Sequence, residues 1–201
     1  MDSAHAIGLF RGPEIVPYLD EVARLRIAVF GDWPYLYRGD MGYERDYLAA
    51  YAQSKDSLFV LAFDGGQVVG ASTGLPLADD GAAFSRPFVT AGIAVPDVFY
   101  FGESVLLPQY RGRGIGHAFF DHREQHARQL GRFRWTAFCS VDRDAGDPRR
   151  PPHHRGNEAF WQKRGYVRQP GMTMLLPWEE AGEGEVIHAL TFWLRPLEPR
   201  A

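Results

Sequence analysis

Three glycines at alternate positions, Gly112, Gly114 and Gly116, stand in the stretch Glu103-Ser-Val-Leu-Leu-Pro-Gln-Tyr-Arg-Gly-Arg-Gly-Ile-Gly-His117. An apolar run with strand character leads into them and ends at Pro108, and an amphipathic helical pattern follows and closes at Gly131. Glycine at such a turn lets the backbone approach a ligand closely, because no Cβ stands in the way. The first amides of the new helix are unpaired and lie at the positive end of its dipole. This chemistry suits a phosphate. A Walker-type loop is excluded, since His117 follows Gly116 where that loop needs Lys and Ser or Thr. A dinucleotide fingerprint needs Gly-x-Gly-x-x-Gly in a βαβ unit with an acid about 20 residues on, and neither the spacing nor the acid is present. A glycine-rich turn that binds nothing is the plain alternative.

Other side chains compete for attention. Glu103 lies in an otherwise apolar strand, where a charge is costly, so it is either functional or salt-bridged. Cys139 is the only cysteine, which excludes a disulfide framework and any multi-cysteine zinc site. With no assignable His partner it reads as a small core residue. His122 and His126 are four apart on the long helix and could share a metal, but Arg123 breaks the zinc-protease pattern and no third ligand is evident. That pair, and His153 with His154, read as structural or solvated, so no metal is expected.

Bulk properties narrow the class. A net charge of -3 leaves no cationic excess to cover a nucleic-acid backbone. No apolar run approaches the roughly 20 residues of a membrane span. Asp2 and His5 interrupt any charged-then-apolar leader, so no signal peptide is expected, and the lone cysteine fits the reducing cytoplasm. The 201 residues, 45% apolar and 23% charged, predict one globular domain spanning 1–201.

The elements that must position these groups follow in order. Ala6 to Phe10 reads as a strand. Gly12-Pro13-Glu14 opens a helix whose Ile15, Leu19, Val22, Arg26 and Val29 share one face, and it stops near Gly31 to Pro34. A second helix is predicted from Gly42 to Tyr51. The tyrosines of this stretch could line an acceptor pocket, but rings at helical spacing more often pack in the core. Leu58 to Phe63 and Val68 to Leu75 form a hairpin around Asp64-Gly-Gly-Gln67. Pro76 to Asp97 reads as a long broken loop. Val98 to Leu107 is the strand feeding the glycine loop, Ile115 to Leu130 a helix, and Arg134 to Val141 a buried strand. Asp142 to Gly156, rich in Pro, Arg and His, is a loop whose charge could recognise an acidic part of a substrate, but it reads first as a solvated loop. Asn157 to Tyr166 holds a short helix, and Met172 to Trp178 and Val186 to Leu194 are the last strands.

Arg111-Gly-Arg-Gly-Ile-Gly116, in this context, resembles the Arg/Gln-x-x-Gly-x-Gly/Ala pyrophosphate loop of the GNAT superfamily of N-acetyltransferases. The order of elements resembles that family along nearly the whole chain. The resemblance implies a mixed α/β fold: a central, twisted, mostly antiparallel sheet of about seven strands, helices on both faces, splayed between the fourth and fifth strands. It implies that acetyl-CoA enters that gap as co-substrate. The backbone of Leu106 and Leu107 would pair with its arm. Arg111, Gly112, Arg113, Gly114, Ile115 and Gly116 would hold its pyrophosphate, with Asn157, Phe160 and Lys163 nearby. Glu103 matches the family's general base, acting directly or through a water, and a backbone N–H on the Leu106 strand is the expected oxyanion donor. The family's usual acidic Tyr is replaced by Trp161, whose indole cannot act as an acid near neutral pH. Tyr166, Cys139 or water remain as donors to the leaving thiolate, with Tyr166 carried as the catalytic candidate. The implied activity is transfer of acetyl to a primary amine of a small molecule or peptide. The alternative is a CoA-binding module of the same fold without catalysis. The resemblance also suggests a homodimer, with Phe192 and Trp193 on a pairing edge.

Overall fold

The computed structural model describes residues 5–197; Asp2 lies outside them. The chain runs β1 (Ala6–Arg11), α1 (Leu19–Phe30), α2 (Met41–Gln53), β2 (Leu58–Asp64), β3 (Gln67–Pro76), α3 (Ala82–Thr90), β4 (Val98–Tyr100) and β5 (Ser104–Leu106). It continues α4 (Ile115–Leu130), β6 (Trp135–Val141), α5 (Glu158–Lys163), β7 (Val167–Glu180) and β8 (Gly184–Pro196). The eight strands form one sheet in the order β1-β2-β3-β4-β6-β8-β7, with β5 also on β3. Only β4 and β6 pair in parallel; the other pairs are antiparallel.

Burial on both faces explains the unbroken apolar run of β2. Phe59 and Leu61 pack into the main core with Ile15, Val22 and Leu25 from the α1 side. Leu58, Val60 and Ala62 point the other way, onto Ile115 and Phe119 of α4. Successive strand residues face opposite sides, so one run serves two helix layers. A third cluster, including Phe120, Phe138, Tyr166 and Trp193, fills the space between α4 and the C-terminal strands. Helix α4 ends as its sequence predicts, with Gly131 in the left-handed region at φ 71°.

Three expectations need correction. The stretch from Pro76 to Asp97 is not all loop, because α3 lies within it. Phe88 is fully buried against Phe192, and Phe84 meets Tyr100 with ring centres 5.4 Å apart. Phe84 and Phe88, four apart, supply a core-facing stripe that Pro87 and the flanking glycines disguise. The strand from Val98 to Leu107 is interrupted, so the sheet counts eight strands where about seven were expected; the mixed, mostly antiparallel α/β class stands. Finally, Phe192 and Trp193 form no pairing edge, since β8 lies between β6 and β7 and both rings are buried.

Candidate active site

The interruption in the Val98–Leu107 strand makes the site. Between Leu75 and Ser72, β3 advances three residues while its partner advances four, from Tyr100 to Ser104. One residue too many on a strand is a bulge, which bends the chain and re-aims its side chains. Gly102 sits within it, and a Cβ there would stand 2.6 Å from Thr73 Oγ1 and 2.7 Å from the Tyr51 hydroxyl. Before the bulge, β4 pairs with β6, ending with Phe101 N–H donating to the Ala137 carbonyl at 2.8 Å. Beyond it, β5 follows β3 while β6 stays with β8 along all seven of its residues. The two strands diverge as the family resemblance implied. A cavity of about 320 Å³ occupies the gap, walled by Phe101 to Ser104 on one side and Phe138 to Val141 on the other.

Glu103 lines this cavity and is buried. Its Oε2 pairs with Arg26 Nη1 at 2.6 Å and accepts from the Tyr47 hydroxyl at 3.3 Å. Its Oε1 is buried with no hydrogen-bond partner among the described residues. The carboxylate is thus salt-bridged through one oxygen and unpartnered at the other among the described residues. Arg26 also pairs with the fully buried Glu44 and lies over the ring of Tyr47. Burial works against the Arg26 charge, but Glu103, Tyr47 and Glu44 outweigh it and hold the guanidinium above its usual range.

Arg123 of α4, itself buried and lining the cavity, fixes the bulge from beneath. Its Nη1 donates to the carbonyls of Thr73 (3.1 Å) and Glu103 (3.0 Å), its Nη2 to Ser104 Oγ (2.8 Å) and its Nε to Phe119 (3.1 Å). No carboxylate among the described residues pairs with it, and burial pulls its pKa down to about 10.

The glycine loop lies beyond the open end of β5. Gly112 and Gly114 adopt φ of 76° and 82°, and no atom stands within 4 Å of where their side chains would be. The first α4 bonds run from His117 and Ala118 to the Gly114 carbonyl, and the amides of residues 112–116 have no partner among the described residues. Such a row of free amides at a helix start has the geometry that suits an anion. Arg111 Nε reaches the Leu106 carbonyl at 3.3 Å, and Arg113 lies over Tyr110 with Nη1 3.3 Å from His5 Nε2. Leu107 gives its N–H to Val69 at 3.0 Å, so that donor is already used. In an antiparallel pair neighbouring residues point opposite ways, which leaves the Leu106 amide on the unpaired edge.

The remaining expectations divide. Asn157 and Trp161 line the cavity; Trp161 packs on Phe138 and Trp193. Phe160 lies beside the loop, 3.9 Å from a Cβ built at Gly116 and against His117, while Lys163 is exposed on the outer face of α5. Tyr166 is not brought to the cavity. It is buried in the third cluster, its hydroxyl donating to Glu124 Oε1 at 3.1 Å and 3.0 Å from Thr136 Oγ1. Burial, then Glu124, raises its pKa well above the usual phenol range. Cys139 does line the cavity, 3.1 Å from the Tyr100 hydroxyl, and burial pushes its thiol up to about 12. His126 Nε2 lies 2.9 Å from the Asp56 carbonyl, and no metal-holding cluster occurs among the described residues.

Sequence reasoning missed three arginines. Arg26 carried a signal, as the one charge on the apolar stripe of α1. Arg123 stood in the rejected metal motif, between His122 and Glu124. Arg143 was read as solvated, but its side chain is largely buried. It donates to the Tyr35 carbonyl at 2.9 Å and, with Arg149, pairs with the buried Glu180. Burial opposes the Glu180 charge, yet these two cations hold its pKa below the ordinary value. The 142–156 loop is thereby tied to the C-terminal hairpin, where Arg143, Asp144, Arg150 and His154 form part of the cavity wall.

Comparison with solved structures finds this fold widely. An N-acetyltransferase from Staphylococcus aureus superposes with a TM-score of 0.60 at 14% identity, over 98% of this chain and 100% of that one. YncA of Salmonella typhimurium, solved with its cofactor acetyl-CoA, gives 0.57 at 12%, over 99% and 97%. The ribosomal-protein-alanine N-acetyltransferase of Brucella melitensis gives 0.58 at 16%, over 96% and 99%. At such identities these likenesses establish the fold. A search of curated proteins finds no match. The model of the Acetyltransferase (GNAT) family matches residues 26–166, spanning the bulge, the glycine loop and both strands that part around the cavity. The chain belongs to the GNAT acetyltransferase family.

Proposed function

We propose that the protein transfers an acetyl group from acetyl-CoA to a primary amine by direct attack, with Glu103 as general base. The observation that carries this reading is the buried, unpartnered Oε1 of Glu103 at the parting of β5 and β6. Acetyl-CoA supplies the activated thioester. The free amides of residues 112–116, with Arg111 and Arg113, suit its diphosphate, and the unpaired edge of β5 at Leu106 suits its arm. Asn157, Phe160 and Trp161 wall the gap on the α5 side, and Lys163 adds a cation near its outer end.

An amine at neutral pH is mostly ammonium and must lose a proton before it attacks. Glu103 Oε1 accepts that proton while Arg26 and Tyr47 hold the other oxygen in place. The Leu106 amide is the oxyanion donor. The sulfur leaves as a thiolate and takes up its proton from solvent afterwards. Tyr166 is committed elsewhere, Trp161 has no acidic proton, and a thiol at about 12 is a weaker acid than the one it would protonate. Phe30, Trp33 and Tyr35 form the cavity's other aromatic wall, and the acceptor is a small amine or an extended peptide terminus. We place the protein in the cytoplasm as a homodimer; no helix among the described residues is long and apolar enough to cross a membrane. The test is release of CoA thiol from acetyl-CoA across a panel of amines. Amine-dependent release supports transfer. Tight acetyl-CoA binding with no release from any amine favours a non-catalytic CoA-binding module of the same fold.

A further inference from the structure

Trp33, Pro34 and Tyr35 line the same cavity as Glu103, and the segment they open, residues 33–38, is bound down from two sides. On one side lies the end of β7. Trp178 Nε1 donates to the Tyr35 carbonyl at 3.1 Å, the Arg38 amide to the Glu179 carbonyl at 2.8 Å, and the Ala181 amide to the Leu36 carbonyl at 2.8 Å. Tyr37 bridges Glu180 in the antiparallel sense. The segment thus acts as a short added strand on the outer edge of β7. From the 142–156 loop, Arg143 donates to the carbonyls of Pro34 (2.6 Å) and Tyr35 (2.9 Å) and lies 5.5 Å from the centre of the Trp33 ring. Its remaining bonds go to Glu180.

We propose that this strap selects the acceptor: a compact primary amine on an apolar body about the size of one aromatic ring, with peptide chains excluded. The proposal names the acceptor class for the acetyl transfer proposed above and rests on that reading.

Peptides commonly dock by adding a strand to a free sheet edge. Beside the cavity, the β7 edge is taken by the strap, the β5 edge at Leu106 suits the cofactor arm, and the β6 edge faces the cavity itself. Ligand pockets run from about 300 to about 1,000 Å³. This one, at about 320 Å³, is at the small end, and the thioester end of the cofactor must share it. The space left suits a small molecule and not a run of extended residues.

The walls set the chemistry. Phe30 packs on Tyr35 with ring centres 4.6 Å apart, and burial holds the Tyr35 phenol above its usual range, so it stays neutral. Ser140 Oγ accepts from Trp193, Cys139 pairs with the Tyr100 hydroxyl, and Arg143 is used by the strap, while Asp144 and Arg150 are exposed at the rim. Glu103 Oε1 is therefore left to meet the amine, and the rings to meet its body. Aromatic faces also favour the ammonium that arrives. A second charge on the acceptor would be buried without a partner, at a cost that disfavours polyamines.

The test compares amine-dependent kcat/KM for phenethylamine, spermidine and a short alanine-rich peptide with a free N-terminus. Wild type is measured beside Trp33→Ala, Arg143→Gln and Trp178→Phe, with the acetyl-CoA Kd of each. In wild type phenethylamine should exceed each of the others by about 100-fold. Trp33→Ala should raise the phenethylamine KM by about tenfold at an unchanged acetyl-CoA Kd, a split that general loosening of the fold would not produce. Arg143→Gln frees the strap and should narrow the preference over the peptide by about tenfold; if it fails to fold, Trp178→Phe, which removes a single strap bond, takes its place. The acceptor class is overturned, with acetyl transfer intact, if the peptide or spermidine comes within about tenfold of phenethylamine in wild type, or if neither Trp33→Ala nor the strap variant moves these values. If wild type releases CoA with none of the three, acetyl transfer itself falls and takes the class with it.

Discussion

Arg26→Met removes the only cation in ion-pair contact with Glu44 and Glu103 among the described residues. Glu44 is fully buried and already has one oxygen without a partner among the described residues, and Glu103 is 7% exposed, so neither carboxylate can recover its solvation by a small movement. Removing one partner of a buried pair costs about 3–5 kcal/mol, most of it the penalty of the charge left behind. In a chain of this size each kcal/mol lowers Tm by about 2–4 °C, so the loss should be about 6–20 °C. The deficit should depend on pH in a definite sense. Protonating the orphaned carboxylates removes the penalty, so the gap between variant and wild type should narrow on going from about pH 8 to about pH 5. Adding Glu44→Gln to Arg26→Met removes one of the stranded charges and should recover part of the loss, which a double-mutant cycle would read as coupling. Calorimetry across that pH range is the assay. A Tm loss of less than about 2 °C near neutral pH, or a gap that widens on acidification, would refute the reasoning.

Two further outcomes test the loop and the thiol. Gly114→Ala meets no steric neighbour but forces a Cβ into the left-handed region at φ 82°, a cost of about 1–2 kcal/mol. It should lower Tm modestly and weaken acetyl-CoA binding by titration calorimetry; unchanged affinity would argue against the loop as the diphosphate site. Native Cys139 should react with a disulfide reagent far more slowly than free cysteine near neutral pH, and readily once unfolded, because its thiol lies near 12. The folded pKa is above the ordinary 9.0, so folding favours the neutral thiol, and that contribution to stability is lost as pH rises from about 9 toward about 12.

Local signals in the sequence were enough for much of this fold. The bounds of α4 were readable because Gly114 and Gly131 punctuate an amphipathic stretch, and the β2–β3 hairpin because Asp64 to Gln67 is turn chemistry between apolar runs. The conformation of the glycine loop was legible for the same reason: glycine spacing reports directly the left-handed backbone at Gly112 and Gly114. The parting of β5 and β6 was reached only through family resemblance. Nothing in Val98 to Leu107 announces the bulge except Gly102, whose necessity comes from Tyr51 and Thr73, distant in sequence.

The tertiary network around the site was illegible for a related reason. Glu103 stood out as a charge in a strand, but its partner Arg26 lies on α1, and the stripe position alone could not say which carboxylate it meets. Tyr166 follows α5 in sequence and looked close to the cavity, yet the chain turns its ring away toward Thr136 and Glu124. Arg143 and Arg149 lie in a stretch with every compositional mark of a solvated loop, and only the fold brings Glu180 beneath them.

The central claim is that Glu103 removes the proton while other groups hold acetyl-CoA. The most direct measurement pairs the acetyl-CoA Kd of Glu103→Gln, by calorimetry, with its amine-dependent kcat. The substitution keeps the shape of the side chain, so Kd should stay within about twofold of wild type while kcat falls by about 10²–10⁴. A kcat within about threefold of wild type would contradict the claim and leave the proton to another group.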